Sequence, residues 1–104
     1  MPTVRLVLEY DGSRYAGWQR QPDQPTIQEA VETALFQLTQ ETVSVISAGR
    51  TDAGVHALGQ VASFRIEREW TPREWLRGLN ARLPEDIAVR SAAIASTFTC
   101  AASP

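Results

Sequence analysis

Apolar and polar residues alternate along the first part of the chain, from Val4 to Tyr10. A two-residue period is typical of a strand with one buried face. Asp11-Gly12 is a turn signal that ends this strand. Residues 13–25 are polar, aromatic and interrupted by prolines, so they predict a long loop and not a regular element.

The next segment follows the helical period. Thr26 and Glu29 have capping-box spacing, in which the Thr26 hydroxyl and the Glu29 carboxylate each accept a backbone N–H. Apolar residues then recur at intervals of three and four, with polar residues opposite them. They are Ile27, Ala30, Val31, Ala34, Leu35 and Leu38. This pattern predicts an amphipathic helix that begins at Ile27.

A second helix is predicted after Thr71, which is placed to cap it. Pro72 occupies the first helical position and Glu74 the capping-box position, and Pro84 is expected to end the helix. The apolar stripe consists of Trp75, Leu76, Leu79 and Leu83. We interpret Trp75 and its neighbour Trp70 as packing residues.

Three further strands complete the pattern, at residues 42–48, 60–66 and 87–91. The order is β-α-β-β-α-β, so the predicted fold is an α+β, ferredoxin-like domain with an antiparallel sheet. Its two helices should cover one face of the sheet and leave the other as a working surface, as in RNA-binding domains of this topology. From Ala92 onward the pattern is lost.

Composition adds limits but no function. The 104 residues suit one compact domain, and the sequence contains neither a membrane-spanning apolar run nor a secretory signal. The single cysteine, Cys100, excludes an internal disulfide framework and a zinc cluster, which favours a reducing, cytoplasmic setting. The net charge is −2. Every basic residue is arginine, which suits phosphate and base edges, although GC-rich codon usage would produce the same bias.

Candidate chemistry lies in the stretch GRTDAGVHALGQ, residues 49–60. Asp52 follows Arg50 by two positions, so the guanidinium could keep the carboxylate ionised. Such a carboxylate can be a nucleophile or a general base, and without His or Cys partners it is weak evidence for a metal. Asp52 could equally be a hydrogen-bonding turn residue. His56, the only histidine, is either a second functional group or a structural one.

The stretch AGRTDAGVHALGQVASF resembles the signature of the tRNA pseudouridine synthase A family. LEYDGSRYAGWQRQ (8–21), TIQEAVETAL (26–35) and GLNARLPEDIAVR (78–90) are similar to other blocks of the same family, in the same order. The resemblance covers residues 1–95. It implies isomerisation of uridine to pseudouridine in the tRNA anticodon stem-loop, around positions 38 to 40, without a cofactor.

The resemblance also implies roles for individual residues. Asp52 corresponds to the catalytic aspartate, and Arg50 to an active-site arginine that pairs with it and fills the space of the flipped nucleotide. Supporting positions in the same motif are Thr51, Gly54 and His56. Apart from the resemblance, four residues of the loop after the first strand are weaker RNA-contact candidates: Arg14, Trp18, Arg20 and Gln21. The alternatives are a solvated loop and, for Trp18, an indole that pins the loop to the domain.

Members of that family are longer, with two ferredoxin-like halves around a cleft, and they are implied to act as homodimers. Residues 1–95 would supply the first, catalytic half, and residues 96–104 form a tail without family resemblance. A reading-frame shift is one hypothesis for this tail; truncation and degeneration are others. We expect the 104-residue chain to be inactive alone. The alternative functions are an RNA-binding domain without catalysis and a module that pairs with itself or with another half-chain.

Overall fold

A computed structural model of the chain describes residues 3–47, Gly54 and residues 56–95. Its elements follow the predicted β-α-β-β-α-β order, with one short 3₁₀ turn, Gly12–Arg14, in the loop after the first strand. They are β1 (Thr3–Tyr10), α1 (Ile27–Thr39), β2 (Ile46–Ser47), β3 (Ala57–Arg65), α2 (Pro72–Asn80) and β4 (Ile87–Ala95). The expected α+β class is confirmed.

The four strands form one antiparallel sheet in the order β2-β3-β1-β4, as expected of a ferredoxin-like domain. β1 lies in the centre, where Val7 is opposite Val61 of β3 and Ser91 of β4. Because both neighbours run antiparallel to it, the end of β1 at Tyr10 lies beside the beginnings of β3 and β4. The loops that carry the candidate chemistry therefore converge at this edge.

The core lies between the helices and one face of the sheet. Alternate residues of β1 are buried there, against the apolar stripes of both helices. Trp75 of α2 is fully buried, in an edge-to-face contact with Phe64 and 4.7 Å from the ring centroid of Trp70, so the packing role of both tryptophans is confirmed. On the opposite face of the sheet, Arg5 and Val7 are half-buried.

Two predictions about the helix ends were wrong: the capping box of α1 and the last residue of α2. The Thr26 hydroxyl accepts the Glu29 N–H at 3.3 Å, but the Glu29 carboxylate lies 4.0 Å from Arg20 Nη2 and forms no capping box with Thr26 in the part of the chain that the structure describes. At α2 the complete capping box of Thr71 is confirmed. This helix ends at Asn80, before Pro84, because a tighter turn follows it.

The prediction of a second strand over residues 42–48 was wrong in length, since β2 is confined to Ile46–Ser47. The reason lies in α1. The Val45 N–H donates to the Glu32 carboxylate at 2.9 Å, and the Val45 carbonyl accepts from the Gln28 amide at 3.3 Å. Helix side chains therefore take the hydrogen bonds that a longer β2 would have given to a neighbouring strand. Ala48, the last residue of the prediction, lies outside the described residues.

The third and fourth strands are longer than predicted. β3 begins at Ala57, three residues early, and its pairing with β1 shifts register between Leu8 and Tyr10. β4 continues to Ala95, where it pairs with Thr3. The small residues at this end show no alternation, but backbone pairing with a central strand does not require it. The loss of pattern after Ser91 therefore did not mark the end of the strand. Within the described residues, no helix is long and apolar enough to cross a membrane.

Candidate active site

The glycine stretch connects β2 to β3. Three of its predicted site residues, Arg50, Thr51 and Asp52, lie outside the described residues. Gly54 and His56 are described, and they form the part of the stretch that returns to β3.

Gly54 joins the stretch to the loop after β1. Its N–H donates to the Tyr15 carbonyl at 3.2 Å, and its φ is +78°. A Cβ at this position would meet nothing within 4 Å. Glycine is therefore favoured here by its backbone angle and not by lack of space, because other residues rarely adopt positive φ.

His56 makes a second connection to the same loop. Its Nδ1 accepts the Gly12 N–H at 2.9 Å and lies 3.1 Å from Asp11 Oδ1. The imidazole is otherwise open, with 62% of the side chain exposed. The chain's only histidine thus contacts the residues that follow β1, four positions after Asp52 in the sequence.

Asp11 shapes the loop that receives these contacts. Its carboxylate accepts both the hydroxyl and the N–H of Ser13, an Asx-type turn. These hydrogen bonds are the main reason that the pKa of Asp11 lies below its usual value, and the nearby His56 lowers it further. The Asp11 N–H donates to the Asp86 carbonyl at 2.9 Å, so the loop is also tied to the turn before β4.

Tyr15 connects the same two segments through its side chain. Its hydroxyl donates to Asp86 Oδ1 at 2.8 Å. Partial burial is the larger cause and this hydrogen bond to a carboxylate the next, and together they raise the pKa of Tyr15 to about 12. The phenol therefore stays protonated at neutral pH and acts as a fixed hydrogen-bond donor.

An open groove of about 490 Å³ lies beside the imidazole. Its lining is rich in carboxylates, with Leu58 as an exposed apolar residue at 77% exposure. The acidic residues are Glu9, Asp11, Glu85 and Asp86. Arg90 contacts two residues of this lining: it donates to the Leu58 carbonyl at 2.6 Å and lies 3.4 Å from Glu9. Carboxylates can accept hydrogen bonds from base N–H groups but repel phosphates, so this groove suits a nucleobase better than an RNA backbone.

The weaker RNA candidates are distributed differently. Arg14 is exposed and lines a second groove of about 650 Å³. Arg20 is bound to α1, 2.9 Å from Glu32, and the Gln21 amide donates to the Ala16 carbonyl. Trp18 is only 3% exposed and belongs to the core. Its indole pins the loop to the domain and leaves no free face on which a base could stack.

Sequence reasoning missed Tyr15 and Asp86. Neither residue has a motif of its own, and Asp86 is 71 positions away from its partner in the chain. Both fall within blocks that resemble the family, 8–21 and 78–90, and that was the only available signal. Among the described residues, no group of three or more His, Cys, Asp or Glu side chains could hold a metal ion.

Comparison with known proteins decides the family. A family model described as tRNA pseudouridine synthase matches residues 6–102. The chain belongs to the tRNA pseudouridine synthase family. Proteins named tRNA pseudouridine synthase A are similar to it: one from Geobacter sulfurreducens is 58% identical over 92 residues, and one from Sinorhizobium fredii is 55% identical over 83.

A synthase of the same name from Myxococcus xanthus is 54% identical over 89 residues. These alignments cover 88%, 80% and 86% of this chain, but only 38%, 34% and 34% of the respective relatives. The chain therefore spans little more than a third of the length of the synthases that it matches.

Proposed function

We propose that this chain carries the catalytic aspartate, Asp52, of a tRNA pseudouridine synthase that acts on the anticodon stem-loop, around positions 38 to 40 of the tRNA. The observation that supports this proposal most strongly is the family match over residues 6–102, a range that includes the whole glycine stretch. Identity of 58% over 92 residues to a named synthase agrees with it.

The reaction is an isomerisation, and it balances without a further reactant. The bond between N1 of uracil and C1′ of ribose breaks, the ring turns, and a bond forms between C5 and C1′. N1 gains a proton and C5 loses one. No redox equivalent or hydrolytic water is consumed, so one positioned carboxylate can serve as nucleophile or base. The choice between attack on the base and attack on the sugar stays open.

Within this proposal Asp52 is the catalytic residue and Arg50 is its partner. The arginine keeps the carboxylate ionised. The target uridine must leave its stack, at a cost of about a few kcal/mol, and the arginine takes the space that the flipped nucleotide vacates. The contacts of Gly54 and His56 with the loop after β1 support the assignment. They connect the end of the stretch to the loop after β1, and a precise catalytic site requires support of this kind.

Because the chain spans about a third of its relatives, we propose that it supplies one half of the cleft and that the working enzyme is a cytoplasmic homodimer of the longer protein. Half of a preorganised site loses most of its positioning effect. We therefore expect the 104-residue chain to be inactive, or nearly so, without the other half.

Release of tritium from tRNA that contains [5-³H]uridine tests the proposal, because C5 loses its hydrogen only when the new C–C bond forms. The chain would be assayed alone and as a chimera, replacing the matching 92 residues of the Geobacter sulfurreducens synthase. Asp52→Asn is the matched control, since it keeps the shape and removes the charge. We expect release from the chimera only, and none from its Asp52→Asn variant.

Other outcomes would change the conclusion. Release by the Asp52→Asn chimera would refute the catalytic assignment. Asp52-dependent release by the chain alone would refute the expected inactivity and favour a self-paired cleft. Tight tRNA binding by a folded chimera that never releases tritium would favour an RNA-binding domain without catalysis.

A further inference from the structure

The His56 ring has two neighbours that make opposite demands on one atom. Nδ1 lies 2.9 Å from the Gly12 nitrogen and 3.1 Å from Asp11 Oδ1. An imidazole nitrogen accepts a hydrogen bond only when it carries no proton, and it donates to a carboxylate only when it does. The two contacts therefore require two different states of Nδ1, one without a proton and one with it.

When Nδ1 carries no proton, the ring proton of the neutral form is on Nε2, and Nδ1 accepts the Gly12 N–H. Gly12 is buried, so loss of this acceptor leaves a backbone donor poorly satisfied, which is costly. The contact spans 44 positions of sequence and joins the loop after β1 to the stretch that contains Asp52. Protonation replaces it with a pair between Nδ1–H and Asp11.

We propose that His56 is a positioning residue of the synthase site, which in its neutral form fixes the end of the catalytic stretch by accepting the Gly12 N–H, and which releases that contact when protonated. This inference rests on the proposed function, because it assigns to His56 the task of holding Asp52 in place. His56 itself performs no chemistry on the uridine.

Several charged side chains lie around the ring. The carboxylates that line the groove with it are Glu9, Asp11, Glu85 and Asp86. Arg90 forms an ion pair with Glu9 at 3.4 Å, and the charge of Arg14 contributes to lowering the pKa of Asp11. The contact with the Gly12 N–H needs an Nδ1 without a proton, so it should be lost when Nδ1 is protonated.

NMR on the chain itself tests the contact, and the presence of only one histidine makes the signals unambiguous. At pH 8 we expect the Nε2–H tautomer, with an unprotonated Nδ1, and a Gly12 amide protected from exchange. The Gly12 signal should titrate together with the imidazole. An Nδ1–H tautomer at pH 8, or a Gly12 amide that ignores the titration, would overturn the proposal.

Kinetics of the chimera test the positioning role. His56→Asn keeps an acceptor oxygen close to Nδ1 but does not titrate, whereas His56→Ala removes the acceptor. We expect His56→Ala to lower kcat at least about tenfold with KM nearly unchanged, because small displacements of catalytic groups are costly. His56→Asn should retain most of kcat at pH 8, and a fall in wild-type kcat on acidification that comes from protonation of Nδ1 should be absent from this variant.

The outcomes separate the two proposals. A wild-type kcat for His56→Ala, or an acid limb that persists in His56→Asn, would refute positioning by His56 and leave the synthase assignment intact. A chimera that never releases tritium would refute the proposed function and with it the positioning role. The NMR titration would still decide the contact between His56 and Gly12.

Discussion

Glu32 of α1 connects two segments near the candidate site to the helix, and its removal should lower the free energy of unfolding. Its Oε2 accepts the Val45 N–H at 2.9 Å and the Gln28 amide at 3.0 Å. Its Oε1 accepts from Arg20 Nη1 at 2.9 Å. One carboxylate thus holds both the segment that enters β2 and the loop after β1 against the helix. The perturbation that we consider is Glu32→Ala.

The magnitude follows from what each partner loses. Val45 is 2% exposed, so its orphaned N–H costs roughly 1–3 kcal/mol. The Arg20 guanidinium is half-exposed, and its pair contributes at most about 1 kcal/mol. The total is about 3 kcal/mol of unfolding free energy, equivalent to a fall in Tm of roughly 12–24 °C for a domain of this size. Glu32→Gln retains an oxygen for Val45 and should cost about half as much.

Urea denaturation followed by tryptophan fluorescence measures these free energies, and Glu29→Ala is the matched control. Glu29 is on the same helix, but its carboxylate is more exposed and 4.0 Å from Arg20. Its removal should cost less than about 1 kcal/mol. If Glu32→Ala were no more destabilising than Glu29→Ala, the assignment of Glu32 as the anchor of the β2 entry would be refuted.

Three further predictions concern stability. Burial and the Asp86 hydrogen bond raise the pKa of Tyr15 from its usual value of 10 to about 12. Ionisation therefore favours the unfolded chain from pH 10 upward, and wild type should lose stability relative to Tyr15→Phe between pH 10 and 12; parallel urea midpoints for the two proteins would contradict this. A Cβ on Gly78 would lie 2.9 Å from Leu38 Cδ2, an overlap that costs about 1–3 kcal/mol against a gain in helix propensity of about 1 kcal/mol. Gly78→Ala should thus be neutral to destabilising in wild type but stabilising in a Leu38→Ala background, and equal effects in both backgrounds would exclude the predicted clash. Trp18→Ala should cost roughly 3–5 kcal/mol because the indole is in the core, and a cost below 1 kcal/mol in thermal unfolding would argue against its pinning role.

Local pattern was sufficient to predict the elements of this chain and their order. The alternation in β1 and the Thr71–Glu74 capping box depend on neighbours within a few residues, which is the range over which sequence patterns carry information. The glycine stretch was likewise found from the sequence, because its meaning lies in consecutive residues. The catalytic role of Asp52 is still a prediction that rests on the resemblance.

Tertiary structure decided the features that depend on distant partners. β2 is short because Glu32 and Gln28 take the backbone groups of Val45, and β4 is long because a central strand pairs with its featureless end. Asp86 joins the site only because β4 runs antiparallel to β1, which brings its turn to Tyr15. His56 meets Gly12 across 44 residues for the same reason. The sequence alone determined which polar side chains the chain possesses. The antiparallel register of the sheet determined which of them are close enough to form hydrogen bonds with each other.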